Sequence, residues 1–204
     1  FFFDVMAEVW TADPENDGNF APGDKIPLQR WWTFWFFKPR TVSEEDVLPL
    51  RWLDDFDTVQ EFWACFNAIP SVLTLGPKHC LHLMKRNYNC PEWEDEANKA
   101  GGIWNLRVEK GMADEVWQTL CLAVIGEQFA CSLPRHDEVC GVSVKPGPST
   151  SNQMIFQLWH RDECHKGAIY DRLKTVLSKV TDMNNSFYRS IVEELRRAEK
   201  EARN

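Results

Sequence analysis

The sequence contains no run of 18 apolar residues, so it offers no candidate membrane-spanning helix. It also lacks a basic excess: 23 Lys and Arg stand against 31 Asp and Glu, for a formal net charge of −8. Proteins that grip a long stretch of nucleic acid present a broad basic face. This composition argues against that class and leaves open a short, chemically distinctive nucleotide. The seven cysteines (Cys65, Cys80, Cys90, Cys121, Cys131, Cys140 and Cys164) are odd in number and contain no C-x-x-C, so reduced thiols in a cytoplasmic protein are expected. His160, Cys164 and His165 are close in sequence, but no second ligand cluster stands out to complete a zinc site, and no metal or cofactor is expected. Nucleophile–base pairs and Gly-rich phosphate loops are missing too, which argues against an enzyme acting on nucleotides. No internal repeat, coiled coil or low-complexity tract is evident. Phe1-Phe2-Phe3 is followed at once by Asp4 and Glu8 without a basic n-region, so no secretory leader is expected.

What the sequence has in abundance is tryptophan, ten in 204 residues. An indole N–H needs a partner when buried, and a chain this rich in Trp often stacks something on a few of them. Most of the ten are expected in the core. Residues 1–26 read as a flexible N-terminal arm, rich in Asp, Pro, Asn and Gly. Order is expected from Pro27, with Arg30 to Lys38 a central strand buried on both sides. Residues 39–49 read as a loop. Thr58-x-x-Glu61 is a capping box, followed by the apolar stripe Val59, Phe62, Trp63 and Phe66 of a first helix.

Strands are expected at Leu81–Met84 and at 103–109, with the polar segment Asn87–Gly102 between them. A second helix, capped by Asp114 and ended by Gly126, carries Val116, Leu120 and Val124. Val139–Val144 and Ile155–Trp159 read as a hairpin joined by turn residues. A third helix carries Ile169, Leu173, Val176, Leu177 and Val180, and the charged tail 191–204 reads as a C-terminal helix. This order suits an α+β fold, an antiparallel sheet with helices on one face. The other face is then free for a ligand.

Trp93-Glu94 lies on the polar segment. The pair by itself reads more readily as a surface Trp shielding a core edge beside a solvated carboxylate than as a site. The longer motifs IPLQRWWTFWFFK (26–38), FDTVQEFWACFNAI (56–69), WEDEANKAGGIW (93–104), VWQTLCLAVIGEQF (116–129) and VCGVSV (139–144), closed by Trp159, together resemble the cap-binding translation initiation factor 4E family. The likeness runs from Pro27 to Tyr188. It implies a curved antiparallel sheet backed on its convex face by three long helices, with the cap-binding domain at 27–190.

It also implies that the chain binds the 7-methylguanosine cap of mRNA and recruits capped mRNA to the initiation machinery through a scaffold subunit of the initiation factor 4G type, as a monomer when free of partners. A cap-blind or repressor-type relative acting through protein partners is the alternative. Methylation at N7 makes guanine a delocalised cation. Two indoles can sandwich it by cation–π attraction, about 0.5–2 kcal/mol each. A carboxylate in the base plane accepts the N1 and N2 hydrogens in charge-assisted bonds.

By the resemblance, Trp93 is a stacking wall, Glu94 reads guanine, and Trp159 contacts the methyl group. The other wall should fall near Asp46, where there is no Trp. Trp52 either fills that role or packs in the sheet as part of LPLRWL. The basic position before Trp104 is Ile103 here, which leaves Lys145 for the phosphates, with Arg135 and Lys166 as outside candidates. Pro27, Val59, Trp63, Leu122 and Gly126 match the convex face that binds a partner helix. Gln118 and Thr119 depart from that face's pattern.

Overall fold

The computed structural model describes residues 21, 23–40, 48–86 and 91–202. Most of the expected arm, and the 41–47 part of the loop that includes Asp46, lie outside the described residues. The elements are β1 (Pro27–Phe37), β2 (Leu50–Thr58), α1 (Val59–Ala68), β3 (Cys80–Lys85), β4 (Gly102–Glu109), α2 (Ala113–Ile125), β5 (Val139–Pro146), β6 (Gln153–His160), α3 (Lys166–Leu177), β7 (Ser186–Ser190) and α4 (Ile191–Ala202). They form one curved seven-stranded sheet in the order β2-β1-β3-β5-β6-β4-β7, and every neighbouring pair is antiparallel. Among the described residues no helix is long and apolar enough to cross a membrane.

Alternation along the strands separates two faces. Trp32, Phe34, Leu81, Leu83, Leu106, Val108, Val142, Val144, Phe156 and Leu158 point to one side. There they meet Phe62 of α1, Val116, Leu120 and Val124 of α2, and Ile169, Leu173 and Leu177 of α3. Each such side chain stabilises the fold by about 1.5–3 kcal/mol when fully buried. This is the main core, and the three expected helical stripes all feed it.

Half of the capping box forms: Glu61 N donates to Thr58 Oγ1 at 3.3 Å, while the Glu61 carboxylate accepts from Asp57 N, one residue before the cap. Lys25 Nζ lies 2.6 Å from Glu61, and Ile26 N donates to Gln60 Oε1, so the last residues before Pro27 are held against α1. Asp114 does not cap α2. Met112 holds that position, and the Asp114 carboxylate instead accepts from Ser71 Oγ and Val72 N, tying a separate turn to the helix start. Gly126 does end α2. β1 is one strand in from the edge, with Trp32, Thr33 and Phe34 buried and Trp31 largely exposed.

Two strands depart from the sequence reading. The stretch 50–58 is a full strand, and β7 closes the far edge. α4 starts directly from β7: Ile191 N donates to Gly101 O at 3.1 Å. Its first turn belongs to the face opposite the three long helices, where Ile191 is buried.

Candidate functional site

The face opposite the three long helices carries its own small apolar cluster. Met84 (β3), Ile103 (β4), Cys140 (β5), Trp159 (β6) and Ile191 (α4) are buried together. A bulge between Val139 and Gly141 turns Cys140 to this side while Val139 and Val142 stay in the main core. Trp35, Trp93, Ala97 and Leu195 pack against the cluster from its rim.

Trp93 is held there by a short, tightly bonded turn. Asp95 Oδ1 accepts from Ala97 N, Asp95 O accepts from Asn98 N and Lys99 N, and Asn98 Nδ2 donates to Glu92 O. The two glycines that follow are required by close approach. A Cβ on Gly101 would lie 1.8 Å from His160 O, and one on Gly102 would lie 1.9 Å from Tyr188 Oη. The turn leaves the Trp93 ring half-buried on an apolar floor and Glu94 exposed beside it. The expected stacking residue and the expected guanine reader therefore share one rigid turn.

Trp159 forms part of the floor. It is 3% exposed, and its indole N–H donates to Ser143 Oγ at 2.9 Å. The same hydroxyl lies 2.7 Å from His82 Nδ1. Burial keeps His82 neutral and pushes its pKa down to about 3. Beside this chain Gln157 Nε2 donates to Asn105 Oδ1.

Trp52 stands on β2, the edge strand, in register with Trp35. It is 55% exposed, and its N–H donates to Asp55 Oδ1 at 3.0 Å; the same oxygen accepts from Thr33 Oγ1. The tryptophan that packs on the cluster under Trp93 is its neighbour Trp35. Lys145 does face the free side, but it pairs with Ile155, while Trp159 pairs with Gly141. Four residues of strand, roughly 14 Å, separate those two levels.

Lys166 is not at this site, because its ammonium lies over the Tyr188 ring, beside Trp104 on the helix-covered face. A cation that sequence reasoning missed is present instead. Arg189 of β7, in register with Ile103, has its guanidinium 5.7 Å from the Trp93 ring centroid and 3.4 Å from a Glu194 oxygen of α4. Only the β4–β7 pairing brings residue 189 to residue 93.

On the opposite face, Pro27 pairs with Thr58, and Val59 N donates to Ile26 O, so Pro27 and Val59 are adjacent. Trp63 follows one helical turn after Val59. It makes edge-on contacts with Phe62 and Phe66 and is half-buried. Leu122 is half-buried and Gly126 buried. Trp63 and Leu122 pack on the same core and keep part of their surface in solvent.

Three comparisons agree with this geometry. The family described as eukaryotic initiation factor 4E matches residues 27–204. Eukaryotic translation initiation factor 4E-1 of Nicotiana tabacum is 35% identical over 156 residues, 74% of this chain and 65% of the tobacco protein. The Solanum lycopersicum protein of the same description is 39% identical over 149 residues, 69% of this chain and 62% of its own. The chain therefore spans about two thirds or less of these relatives' length. Among solved structures, C. elegans eIF4E-3 in complex with the 4E-binding protein Mextli and a cap analog has a TM-score of 0.71 at 28% identity, covering 85% of this chain and 96% of that one. Ascaris suum eIF4E-3 with an m7G cap has a TM-score of 0.69 at 30% identity, covering 82% and 92%.

Proposed function

This chain belongs to the eukaryotic initiation factor 4E family, and we propose that it binds the 7-methylguanosine cap of mRNA on the face of its sheet opposite the three long helices. The observation that carries the reading is Trp93, half-exposed on an apolar floor, with the exposed carboxylate of Glu94 next to it on a locked turn. The methylated base stacks on Trp93, and Glu94 accepts its N1 and N2 hydrogens. The second wall falls to the pair that meets across β1 and β2, and of these Trp52 offers the exposed ring. Trp159 acts at the floor, through its rim. Lys145 and Arg107, on the same face, meet the phosphates.

The function is binding rather than catalysis, in the cytoplasm, and it serves translation initiation. The convex face around Pro27, Val59, Trp63, Leu122 and Gly126 takes a partner helix from a scaffold of the initiation factor 4G type or a related binding protein. The solved relatives support both halves of this reading, since one is a complex with a binding protein and a cap analog. Retention on a 7-methyl-GTP resin tests it. The chain should bind, elute with free 7-methyl-GTP and resist elution by GTP; failure to bind under conditions where the fold is intact contradicts it.

A cap-blind member acting through protein partners is the second reading. The observation in its favour is that Arg189 already lies against the Trp93 ring while Trp159 is covered.

A further inference from the structure

The register of the central hairpin brings together two segments that are distant in sequence. Val139 pairs with His160, so the residues just before β5 lie beside those just after β6. His136 comes from the first segment, and Asp162 and His165 from the second. One ligand-type atom from each lies within 4.8 Å of the other two. The His136 and His165 rings are 5.7 Å apart, edge to face.

Beneath them sits Asp137, whose side chain is fully buried. Its Oδ1 accepts from Glu138 N and Asp162 N, and its Oδ2 lies 2.8 Å from His165 Nδ1. Desolvation raises the pKa of this carboxyl, an effect opposed by its bonds to the two backbone N–H groups and to His165. The Asp137 carboxylate takes Nδ1, the nitrogen that also lies 4.0 Å from an Asp162 oxygen, which fixes the tautomer and leaves Nε2 for an ion. Metal-ligating histidines are held in this way.

We propose that His136, Asp162 and His165 form a binding site for a divalent transition metal of the zinc type, with Asp137 as the carboxylate that orients His165. Two imidazoles and one carboxylate with an open fourth position are a normal zinc set. Ligand atoms about 2.0–2.1 Å from a tetrahedral ion lie roughly 3.4 Å apart, so the cluster needs a contraction of up to about 1.4 Å, available from the exposed His136 ring. His160 takes no part: it is buried, with Nε2 3.0 Å from Tyr188 Oη. Cys164 N donates to Asp162 Oδ1, but the Cys164 thiol does not belong to the three-atom cluster.

The consequence reaches the Trp93 turn. Glu163, between two of the ligands, donates its N–H to Ala100 O and accepts from Ser190 Oγ through its carboxylate. A bound ion fixes this junction to the loop before β5.

The test is calorimetric titration of the chelator-treated chain with zinc chloride at neutral pH, followed by thermal unfolding with and without zinc. One equivalent should bind and raise the midpoint. His136→Ala and His165→Ala should each remove most of the affinity, and Asp137→Asn should lower it about 10- to 100-fold. Cys164→Ser should bind as the parent does. His136→Ala changes an exposed side chain, so its metal-free midpoint should match the parent and show that the fold is intact. No binding at 0.1 mM zinc, binding indifferent to His136→Ala, or binding lost in Cys164→Ser would each overturn the proposal.

Discussion

The guanidinium of Arg189 lies over the indole of Trp93, 5.7 Å from the ring centroid, and is ion-paired at 3.4 Å to Glu194 of the C-terminal helix. A delocalised cation therefore already rests against the ring on which a methylated guanine, another delocalised cation, is proposed to stack. Because Glu194 neutralises it, Arg189 acts chiefly as a competitor for that ring. At a half-exposed site such a contact is worth about 0.5–1 kcal/mol. Arg189→Met should tighten 7-methyl-GTP binding by about two- to five-fold and leave GTP binding almost unchanged. Weaker binding of both nucleotides would make Arg189 a phosphate ligand instead.

Gly101 is the position where the Trp93 turn meets β6. An added Cβ would fall 1.8 Å from a backbone oxygen of His160, and no side chain can move to relieve it. Gly101→Ala should destabilise the chain by about 1–3 kcal/mol, as overpacking does, and lower nucleotide affinity with it. Urea unfolding measures the first effect. An unchanged midpoint would mean that the turn yields more readily than its bonding suggests.

The pH dependence of stability follows from two buried histidines. Burial lowers His82 to about 3 and His160 to about 4, against about 6.5 when unfolded. Between those values the unfolded chain binds more protons, so stability is complete above about pH 6.5 and is lost as pH falls toward 4. Each group contributes a slope of up to about 1.4 kcal/mol per pH unit in that window. Glu127 and Asp137, whose pKa values are raised chiefly by burial, act in the opposite sense at lower pH. Denaturant unfolding at pH 7 and pH 5 should show a loss of roughly 2–4 kcal/mol. Equal stability would show that both rings take up protons in the folded state as readily as in the unfolded chain.

The sheet lies between the helical face and the proposed nucleotide site, so the two can be tested separately. Trp63→Ala should abolish binding of a scaffold-type partner helix and leave 7-methyl-GTP affinity unchanged. It should cost about 1–3 kcal/mol of stability through its lost contacts with Phe62 and Phe66. A pull-down in which the variant keeps its partner would move the interface elsewhere.

The elements legible in the sequence are those with a long period. The stripes of α1, α2 and α3 and the alternation of β4 each project a continuous apolar row, and burial of that row is what forms the element. β2 was obscured because its residues, LRWLDDFDT, carry three aspartates on an edge strand with solvent on one side. β7 has only five residues and is made by its pairing with β4.

The site divides along the same line. The Trp93-Glu94 turn was legible because its motif is contiguous. Arg189 at Trp93 and His136 beside His165 were not, because each meeting is created by strand register between segments tens of residues apart. Trp52 could be read either as a stacking residue or as part of a strand. It is on a strand, yet its ring remains exposed on the side where a ligand would sit.

The most direct test of the cap-binding account is a tryptophan-fluorescence titration with 7-methyl-GTP and with GTP, on the parent chain and on Trp93→Ala. Binding of 7-methyl-GTP at least tenfold tighter than GTP, with that preference lost in Trp93→Ala, is the predicted result. Equal affinity for the two nucleotides, or a preference that survives without the Trp93 indole, would contradict it.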